Sequence, residues 1–443
     1  MASSINPLTA TASELQDRLC RDHFSSKDLV KLYMHRISKY DGYLKSVIAT
    51  APEDLVLETA SRLDEERTRG ILRGPLHGIP IVIKDNIATV PELGLPTTCG
   101  SLALEGSRPR KNAAIVDKVW SPVSWEEDCR SRCCPGMGIL QVLIHASSQS
   151  PGGSSGGSAV AVSAGLSPLA IGTDTMGSLI APSDRAALYT IRPTLKIVPQ
   201  QGIIPITLES DSAGPMAKSV LDLALLLDAL VDPTATEVPE QGYKGAVTGK
   251  WGDIRIGVIE PSDEWLFQRD FVKFEPQASE QMGLLEEYLA SVDDCKVRTL
   301  EELVQFNKDH AEKELPPCAD NQDTLIRALS AHMPDDEYRS IISSARERCG
   351  KNGIDKALAE NDVDVIIGPG DGPMFCVPST AGYPVASLPL GYLDFNGRPF
   401  GMQITAGAHQ EALIIQAQSA WEHTFPFRRP PPLDDIVPVN STV

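Results

Sequence analysis

Short apolar runs bounded by glycine and proline recur along the chain and alternate with longer amphipathic stretches. Residues 79–83, IPIVI, form one such run, which predicts a buried β-strand ending at Lys84. Similar runs predict further strands at residues 169–171, 191–207, 254–260, 363–370, 384–392 and 399–407. Because the predicted strands and helices alternate, we expect an α/β layered core.

Helical signals are clear near the N-terminus. Thr11 with Glu14 fits a capping box, and Ser26 fits the cap of a second helix. A third helix is expected over residues 52–70, and all three are expected on the outside of the core. Further helices are predicted at residues 158–166, 219–232 and 411–425. Apolar side chains cover most of the circumference of the helix at 219–232, which indicates deep burial.

The chain changes character over residues 233–360. This stretch is richer in Asp and Glu and reads mostly as helices with polar faces. We expect a single domain over residues 1–443, with residues 233–360 as its peripheral, substrate-shaping region. The proline-rich tail, residues 427–443, is expected to lie extended on the surface.

The charge balance excludes some partners. The chain has 443 residues, and 40 Lys and Arg against 59 Asp and Glu give a formal charge of -19. Such a surface repels nucleic-acid phosphates and anionic lipid, and no run approaches the ~20 apolar residues of a spanning helix. The N-terminus lacks the pattern of a secretory signal, and the nine cysteines are odd in number, which indicates reduced thiols. We therefore expect a cytoplasmic protein that binds neither nucleic acid nor membrane.

No motif predicts a metal or a cofactor. Cys129, Cys133 and Cys134 cluster, but without the paired spacing that a zinc site uses. The glycine-rich loop at residues 151–158 lacks the lysine of a phosphate loop. Nothing indicates NAD or flavin, so we expect no cofactor.

Lys84 is the first residue with candidate chemistry. Taken alone, a lysine at a strand end is expected to reach solvent. A catalytic lysine must be neutral to act as a base, which requires burial or cationic neighbours. The apolar run before Lys84 is a setting of that kind.

The loop 151–158, PGGSSGGS, admits several interpretations. Gly153, Ser155 and Gly157 fit the G-x-S-x-G elbow of α/β-hydrolases, but that elbow follows a strand and HASSQSPG precedes this loop. A flexible linker is the plain structural alternative, although a small-residue helix follows at once. Four glycines around two serines suit a close approach of the backbone.

The segment GTDTMGS, residues 172–178, follows a predicted strand and ends at Ser178. Successive backbone N–H groups in such a loop can form a concave nest for an oxyanion. Taken alone, the segment is equally typical of an ordinary connection between a strand and a helix.

Four segments carry a family resemblance when taken together. GPLHGIPIVIKDNI, SPGGSSGGSAVAVSAGLSPLAIGTDT, DSAGPMAKSVLDLALLLDAL, and STAGYPVASLPLGY with GRPFGMQI occur in this order. In these segments the chain resembles the amidase signature family, most of all its fungal-type members. Ser154 and Ser178 are 24 residues apart (178 minus 154), which is the spacing of that family's serine pair. The resemblance implies a mixed β-sheet core covered by helices on both faces, and hydrolysis of linear, non-peptide amides.

The resemblance also implies the roles of individual residues. Ser178 corresponds to the nucleophile, Ser154 to a bridging serine in a cis peptide, and Lys84 to the base. The relay implied is from Ser178 through Ser154 to neutral Lys84, with an acyl-enzyme on Ser178. Backbone N–H groups around Ser178, at Thr175, Met176 and Gly177, are expected to hold the oxyanion. Asp174 is a candidate for orienting this loop, and His77 is expected to pack or hydrogen-bond near the lysine strand.

The sequence departs from the family pattern at two places. Met176 and Ile180 stand where many members carry glycine and arginine. Residues 119–149 form an atypical segment, in which the family's helix, strand and polar turn are not visible. We interpret this segment as the product of a reading-frame or splice error in the gene model. If the sequence is real as given, a core strand is expected to be missing there and the activity to be impaired.

Three alternatives stay open. The first is that the chain is an ammonia-releasing subunit of an amidotransferase. The second is an impaired family member that acts only by binding, and the third is an elbow-type hydrolase with Ser155 as nucleophile. The sequence names no acyl or amine group, so the substrate is expected only to be a small-molecule amide. It also leaves the oligomeric state open.

Overall fold

A computed structural model describes residues 5–21, 24–120, 138–142, 152–259, 277–317, 320–330, 333–425 and 428–433. The strands are β1 Val47–Thr50, β2 Pro80–Lys84, β3 Arg108–Pro109, β4 Gly138–Val142, β5 Leu169–Asp174, β6 Tyr189–Arg192, β7 Ser212–Ala217, β8 Ile256–Val258, β9 Val292–Asp293, β10 Val365–Pro369, β11 Val385–Tyr392 and β12 Pro399–Thr405. The α-helices are α1 Ala12–Cys20, α2 Ser26–Leu44, α3 Glu53–Thr68, α4 Ala114–Trp120, α5 Gly156–Ser163, α6 Ile180–Asp184, α7 Val220–Leu230, α8 Gln277–Ser291, α9 Leu300–Asp309, α10 Ala311–Glu314, α11 Asp323–Ser330, α12 Asp335–Cys349, α13 Lys356–Glu360, α14 Cys376–Ala381 and α15 Glu411–Thr424.

Ten strands form one mixed sheet in the order β1-β4-β2-β5-β7-β6-β11-β12-β10-β8. β2 runs parallel to both β4 and β5, and β8 runs parallel to β10, while the other neighbours are antiparallel. The carboxyl ends of β2 and β5 therefore lie at the same edge of the sheet. This placement brings the end of the lysine strand beside the start of the loop that follows β5.

Helices cover both faces of the sheet because neighbouring strand residues point to opposite sides. Ile81 and Ile83 of β2 join the larger apolar core, and Val82 between them joins a second core on the other face. The larger core includes residues of α1, α7 and α15, whereas the second is built largely on α5. The predicted α/β fold with a mixed sheet is confirmed.

Capping explains where the N-terminal helices begin. Thr11 and Glu14 form the predicted capping box at the start of α1. The cap of α2 is Ser25 rather than the predicted Ser26, because the Ser25 hydroxyl accepts a hydrogen bond from the Asp28 N–H at 3.0 Å. The Ser26 N–H donates instead to Asp64 at 2.7 Å, which ties α2 to α3.

Most of the atypical segment 119–149 lies outside the described residues. The expectation that it lacks a core strand is wrong for residues 138–142, because these form β4 between β1 and β2. Gly138–Val142 reads GILQV and pairs residue by residue with β2, so its aliphatic positions suit a strand inside a sheet.

Residues 233–360 contain β8 and the helices α8 to α13. Helices α8 and α9 pack on the core through apolar side chains, among them Leu285, Leu289 and Val304. A two-stranded sheet of β3 and β9 joins this part to the loop before α4. The region therefore lies beside the edge of the sheet that carries Lys84.

Candidate active site

Lys84 ends β2 with its side chain buried against three hydroxyl groups. Its Nζ atom donates to Ser154 Oγ at 2.5 Å and to Thr173 Oγ1 at 2.9 Å. A longer contact of 3.3 Å reaches Ser155 Oγ. Every residue of β2 is buried, so this strand places the Lys84 amine inside the protein.

The burial of Lys84 sets its electrostatics. Because the charged form loses hydration, the pKa of the Lys84 amine falls to about 8. The charges of Asp174 and Asp211 act in the opposite direction. The partners that the Lys84 amine has among the described residues are all uncharged hydroxyl groups, so the ammonium form makes no ion pair with any of them. A lysine in this state is available as a proton acceptor near neutral pH.

The glycine-serine loop is fixed by Ser155. The Ser155 hydroxyl donates to the Thr173 carbonyl at 2.9 Å and accepts from the Thr173 N–H at 3.1 Å. Its side chain is 1% exposed, and its N–H donates to the Ser178 carbonyl at 3.2 Å. Ser155 thus fastens the loop to β5, which leaves its neighbour Ser154 exposed and in contact with Lys84. The peptide bond between Gly153 and Ser154 is cis, as the family resemblance implies.

Asp174 organises the loop that leads to Ser178. Its two carboxylate oxygens accept hydrogen bonds from the Gly177 N–H at 2.9 Å and from the Leu179 N–H at 2.6 Å. The expectation that the Gly177 N–H lies open to an oxyanion is therefore not met, because Asp174 takes that donor. The N–H groups of Thr175, Met176 and Ser178 donate to no other residue in the described part of the chain.

Arg192 supports this loop and was not identified from the sequence. Its Nε lies 3.4 Å from Asp174 Oδ1, and both side chains are fully buried. The guanidinium also donates to the carbonyls of Ser210 at 2.7 Å and Tyr383 at 3.1 Å. Ile180, which stands where many family members carry arginine, is itself buried. A charged residue inside the predicted strand segment 191–207 indicates a buried partner for Arg192, but not which group that partner is.

The two predicted serines lie on loops that are joined by the Ser155 N–H, which donates to the Ser178 carbonyl. Ser178 is half-buried and follows Gly177, and Ser154 lies on the facing loop. No hydrogen bond joins the hydroxyls of Ser154 and Ser178 in the described contacts. Catalytic hydrogen bonds are often long without substrate, so this geometry is compatible with a contact completed on binding.

A cavity of about 410 Å³ opens in front of Lys84 and Ser154. Core loops form one wall and helices α8 to α11 form another. The apolar lining residues are Leu104, Ile203, Ile204, Pro205, Ile206, Leu285, Leu303 and Leu325. Its volume lies within the range of small-molecule sites. The predicted residue Thr175 also lines it, and its hydroxyl donates to Asp211 at 2.6 Å.

His77 is a structural residue. It is fully buried, and its Nδ1 accepts a hydrogen bond from the Arg73 N–H at 3.2 Å. The other ring nitrogen then carries the proton and donates to the Leu63 carbonyl at 2.8 Å. Burial lowers the pKa of this imidazole. Both nitrogens are occupied, which matches the expectation that His77 packs near the lysine strand.

Comparison with known proteins decides the family. The sequence model of the amidase family matches residues 28–121 and 145–352, which together make up more than half of the chain. This chain belongs to the amidase family. The resemblance noted in the sequence is therefore confirmed, and the protein is an amidase-family hydrolase. The break in the match, between residues 121 and 145, falls inside the atypical segment 119–149.

Individual relatives of this amidase agree with the family match. It is 29% identical to a probable amidase of Arabidopsis thaliana, over 97% of this chain and 93% of the relative. A putative amidase of Schizosaccharomyces pombe is 25% identical, over 98% and 88% of the two chains. The crystal structure of the native peptide amidase of Stenotrophomonas maltophilia superposes with a TM-score of 0.84 at 29% identity, covering 96% of this chain and 99% of that one.

Within the described residues of the amidase, no helix combines the length and apolar character of a membrane span. No group of His, Cys, Asp and Glu in the same residues is arranged to hold a metal ion.

Proposed function

We propose that this protein hydrolyses the C–N bond of small linear carboxamides through an acyl-enzyme on Ser178. The observation that carries the proposal is the buried Lys84 amine, bonded to Ser154 Oγ at 2.5 Å and held by hydroxyl groups alone. A lysine in that position is neutral in a useful fraction of molecules near pH 8, and so is equipped to withdraw a proton through a serine.

The proposed reaction runs in two stages. Lys84 accepts the Ser154 proton while Ser154 accepts the Ser178 proton, and Ser178 Oγ attacks the amide carbon. Collapse of the tetrahedral intermediate breaks the C–N bond, and the proton returns through Ser154 to the leaving amine. Water then attacks the Ser178 ester by the same relay and releases the acid.

The oxyanion is proposed to bind the N–H groups of Thr175, Met176 and Ser178. Support comes from Asp174, which holds the loop by accepting from the Gly177 and Leu179 N–H groups. Donors fixed before the reaction stabilise the developing charge without reorganisation. Asp174 acts here as a positioning residue rather than as a donor.

We also propose that residues 233–360 shape the substrate site within a single amidase domain. Leu285, Leu303, Asn307, Glu314 and Leu325 from this region line the cavity. The cytoplasmic location and the absence of nucleic-acid partners stay predictions, based on the cysteine content and on the charge of -19.

An ammonia-releasing role within an amidotransferase is a second candidate. A glutamyl-tRNA(Gln) amidotransferase chain of Chloroflexus aggregans is 33% identical over 56% of this chain and 53% of its own. The same relay would serve that role. Ammonia release from glutamine, stimulated by a partner protein, is the result that would favour it.

Partitioning with hydroxylamine tests the proposed acyl-enzyme. A shared intermediate gives the same ratio of hydroxamate to acid from an amide and an ester with one acyl group. We expect this constant ratio in the wild-type protein, and no product from Ser178→Ala or Lys84→Ala. Ser330→Ala and Lys250→Ala change exposed residues and serve as matched controls. A ratio that differs between amide and ester, or full turnover by Ser178→Ala, would contradict the mechanism.

A further inference from the structure

The cavity in front of Lys84 carries an unequal set of charges. Among its described lining residues, three carboxylates belong to Asp85, Asp211 and Glu314, and one amine belongs to Lys84. The proposed reaction requires Lys84 to be neutral when it accepts a proton. In the reactive state the described lining therefore contains three carboxyl groups and no cation.

Two of these carboxyl groups are held by the protein itself. Asp85 accepts from the Thr98 N–H at 2.9 Å, the Thr98 hydroxyl at 2.5 Å and the Gly100 N–H at 3.0 Å. Asp211 accepts from the Thr175 hydroxyl at 2.6 Å and from the N–H groups of Ile206 at 2.7 Å and Thr207 at 3.0 Å. With three donors each, these carboxylates keep loops in place and have little capacity left for a ligand.

Glu314 is the least saturated of the three. Its Oε1 accepts from the Leu102 N–H at 2.6 Å, and among the described residues its Oε2 has only a long contact of 3.4 Å with the Ser101 hydroxyl. The residue is half-buried at the end of α10, where the helical wall meets the core loop. A half-buried carboxylate with one weakly bonded oxygen in a mostly aliphatic cavity attracts an ammonium group and repels an anion.

We propose that this site selects aliphatic amides that are uncharged or carry an ammonium group, that it excludes amides with a carboxylate, and that Glu314 sets this charge preference. The inference rests on the proposed function and adds its substrate class. Aliphatic side chains from both walls favour an alkyl chain on the substrate, since its burial is stabilising. A carboxylate on that chain meets like charge and has no described cation to pair with.

Three amides of one chain length test the proposal. Valeramide, 5-aminovaleramide and glutaramate share a five-carbon acyl chain whose last carbon belongs to a methyl, an ammoniomethyl or a carboxylate group. We expect kcat/KM for glutaramate to be about tenfold or more below that for the other two, because like charge in a partly dry site is costly. Glu314→Gln keeps an oxygen for the Leu102 N–H but removes the charge. It should reduce the ratio of 5-aminovaleramide to glutaramate turnover about tenfold.

Glu312→Gln is the matched control, because it removes one charge from the exposed side of the same short helix. It should retain the wild-type ratio. Glutaramate hydrolysed as fast as valeramide, or an unchanged ratio in folded Glu314→Gln, would overturn the inference while leaving the amidase mechanism intact. Absence of turnover for all three amides, together with no acyl-enzyme on Ser178, would count against the proposed function itself.

Discussion

At the scale of single residues, the site depends on a buried base whose hydrogen-bond partners are uncharged hydroxyl groups. Hydroxyl groups of Ser154, Ser155 and Thr173 surround the Lys84 amine, so burial rather than an ion pair controls its pKa. The sequence predicted Lys84, Ser154 and Ser178, because the motifs around them are specific. It did not predict Thr173 or Arg192, because nothing in their local pattern shows which buried group they will meet across the sheet.

The first prediction concerns pH. The pKa of Lys84 is lowered to about 8 from its usual 10.5, so the amine is protonated below pH 8 and unable to accept a proton. We expect kcat/KM to rise about tenfold per pH unit up to roughly pH 8 and then level off. Circular dichroism across the same range checks that the fold is retained. A rate that is flat between pH 6 and pH 9 would contradict Lys84 as base.

The second prediction concerns Asp174. Asp174→Asn leaves one acceptor for the loop N–H groups and removes the carboxylate that faces buried Arg192. We expect kcat to fall about 10- to 1000-fold, with KM changed much less, because the oxyanion donors lose their fixed position. Asp364→Asn removes a carboxylate from an exposed pair with Arg255 and should change neither constant. Equal effects of the two substitutions would argue against a positioning role for Asp174.

At the scale of elements, the parallel pairing of β2 and β5 brings the site together. Their carboxyl ends meet at one edge of the sheet, and the loops before α5 and α6 face each other across it. The apolar runs of both strands were visible in the sequence. Helix boundaries were less visible, since α5 begins at Gly156 rather than at residue 158.

The third prediction concerns the loop after β5. Gly177 has φ +87°, and a Cβ atom there would lie 2.4 Å from the Phe375 ring. Gly177→Ala should lower kcat/KM at least about tenfold and destabilise the fold by about 1–3 kcal/mol. Gly397→Ala has a similar φ of +71° with open space around it, so it should lose stability but retain activity. Loss of activity in both variants would show that strain alone explains the result.

At the scale of the whole molecule, one ten-stranded sheet separates two apolar cores and carries the site at its edge. The α/β class could be predicted from alternating apolar runs, since each run is long enough to be recognised. The position of β4 could not be predicted from the sequence. Its residues lie in a segment without the family pattern, and they pair with a strand over 50 residues away. The sequence predicted residues 233–360 as the substrate-shaping region, but not which side chains of residues 277–330 line the cavity, since amphipathic helices do not reveal what they pack against.

The fourth prediction concerns Asp184 at the end of α6, which lies beside Gly370 and Gly401. Burial raises the pKa of the Asp184 carboxyl to about 7, and nearby Asp371 adds to the shift. Because the folded pKa lies above the unfolded value of 3.8, stability should fall as pH rises from about 4 to 7. Asp184→Asn should therefore stabilise the protein by roughly 1–3 kcal/mol at pH 8, and much less at pH 4. Urea unfolding at both pH values measures this, and an equal effect at both would contradict it.

The central claim is that Ser178 is the nucleophile and that Lys84 activates it through Ser154. Labelling with a fluorophosphonate, followed by mass spectrometry of the modified peptide, tests this most directly. The account predicts one adduct, on Ser178, that is absent in Ser178→Ala and strongly slowed in Ser154→Ala and Lys84→Ala, with Ser330→Ala labelled like the wild type. An adduct on Ser155, or undiminished labelling of the Ser178→Ala protein, would contradict it.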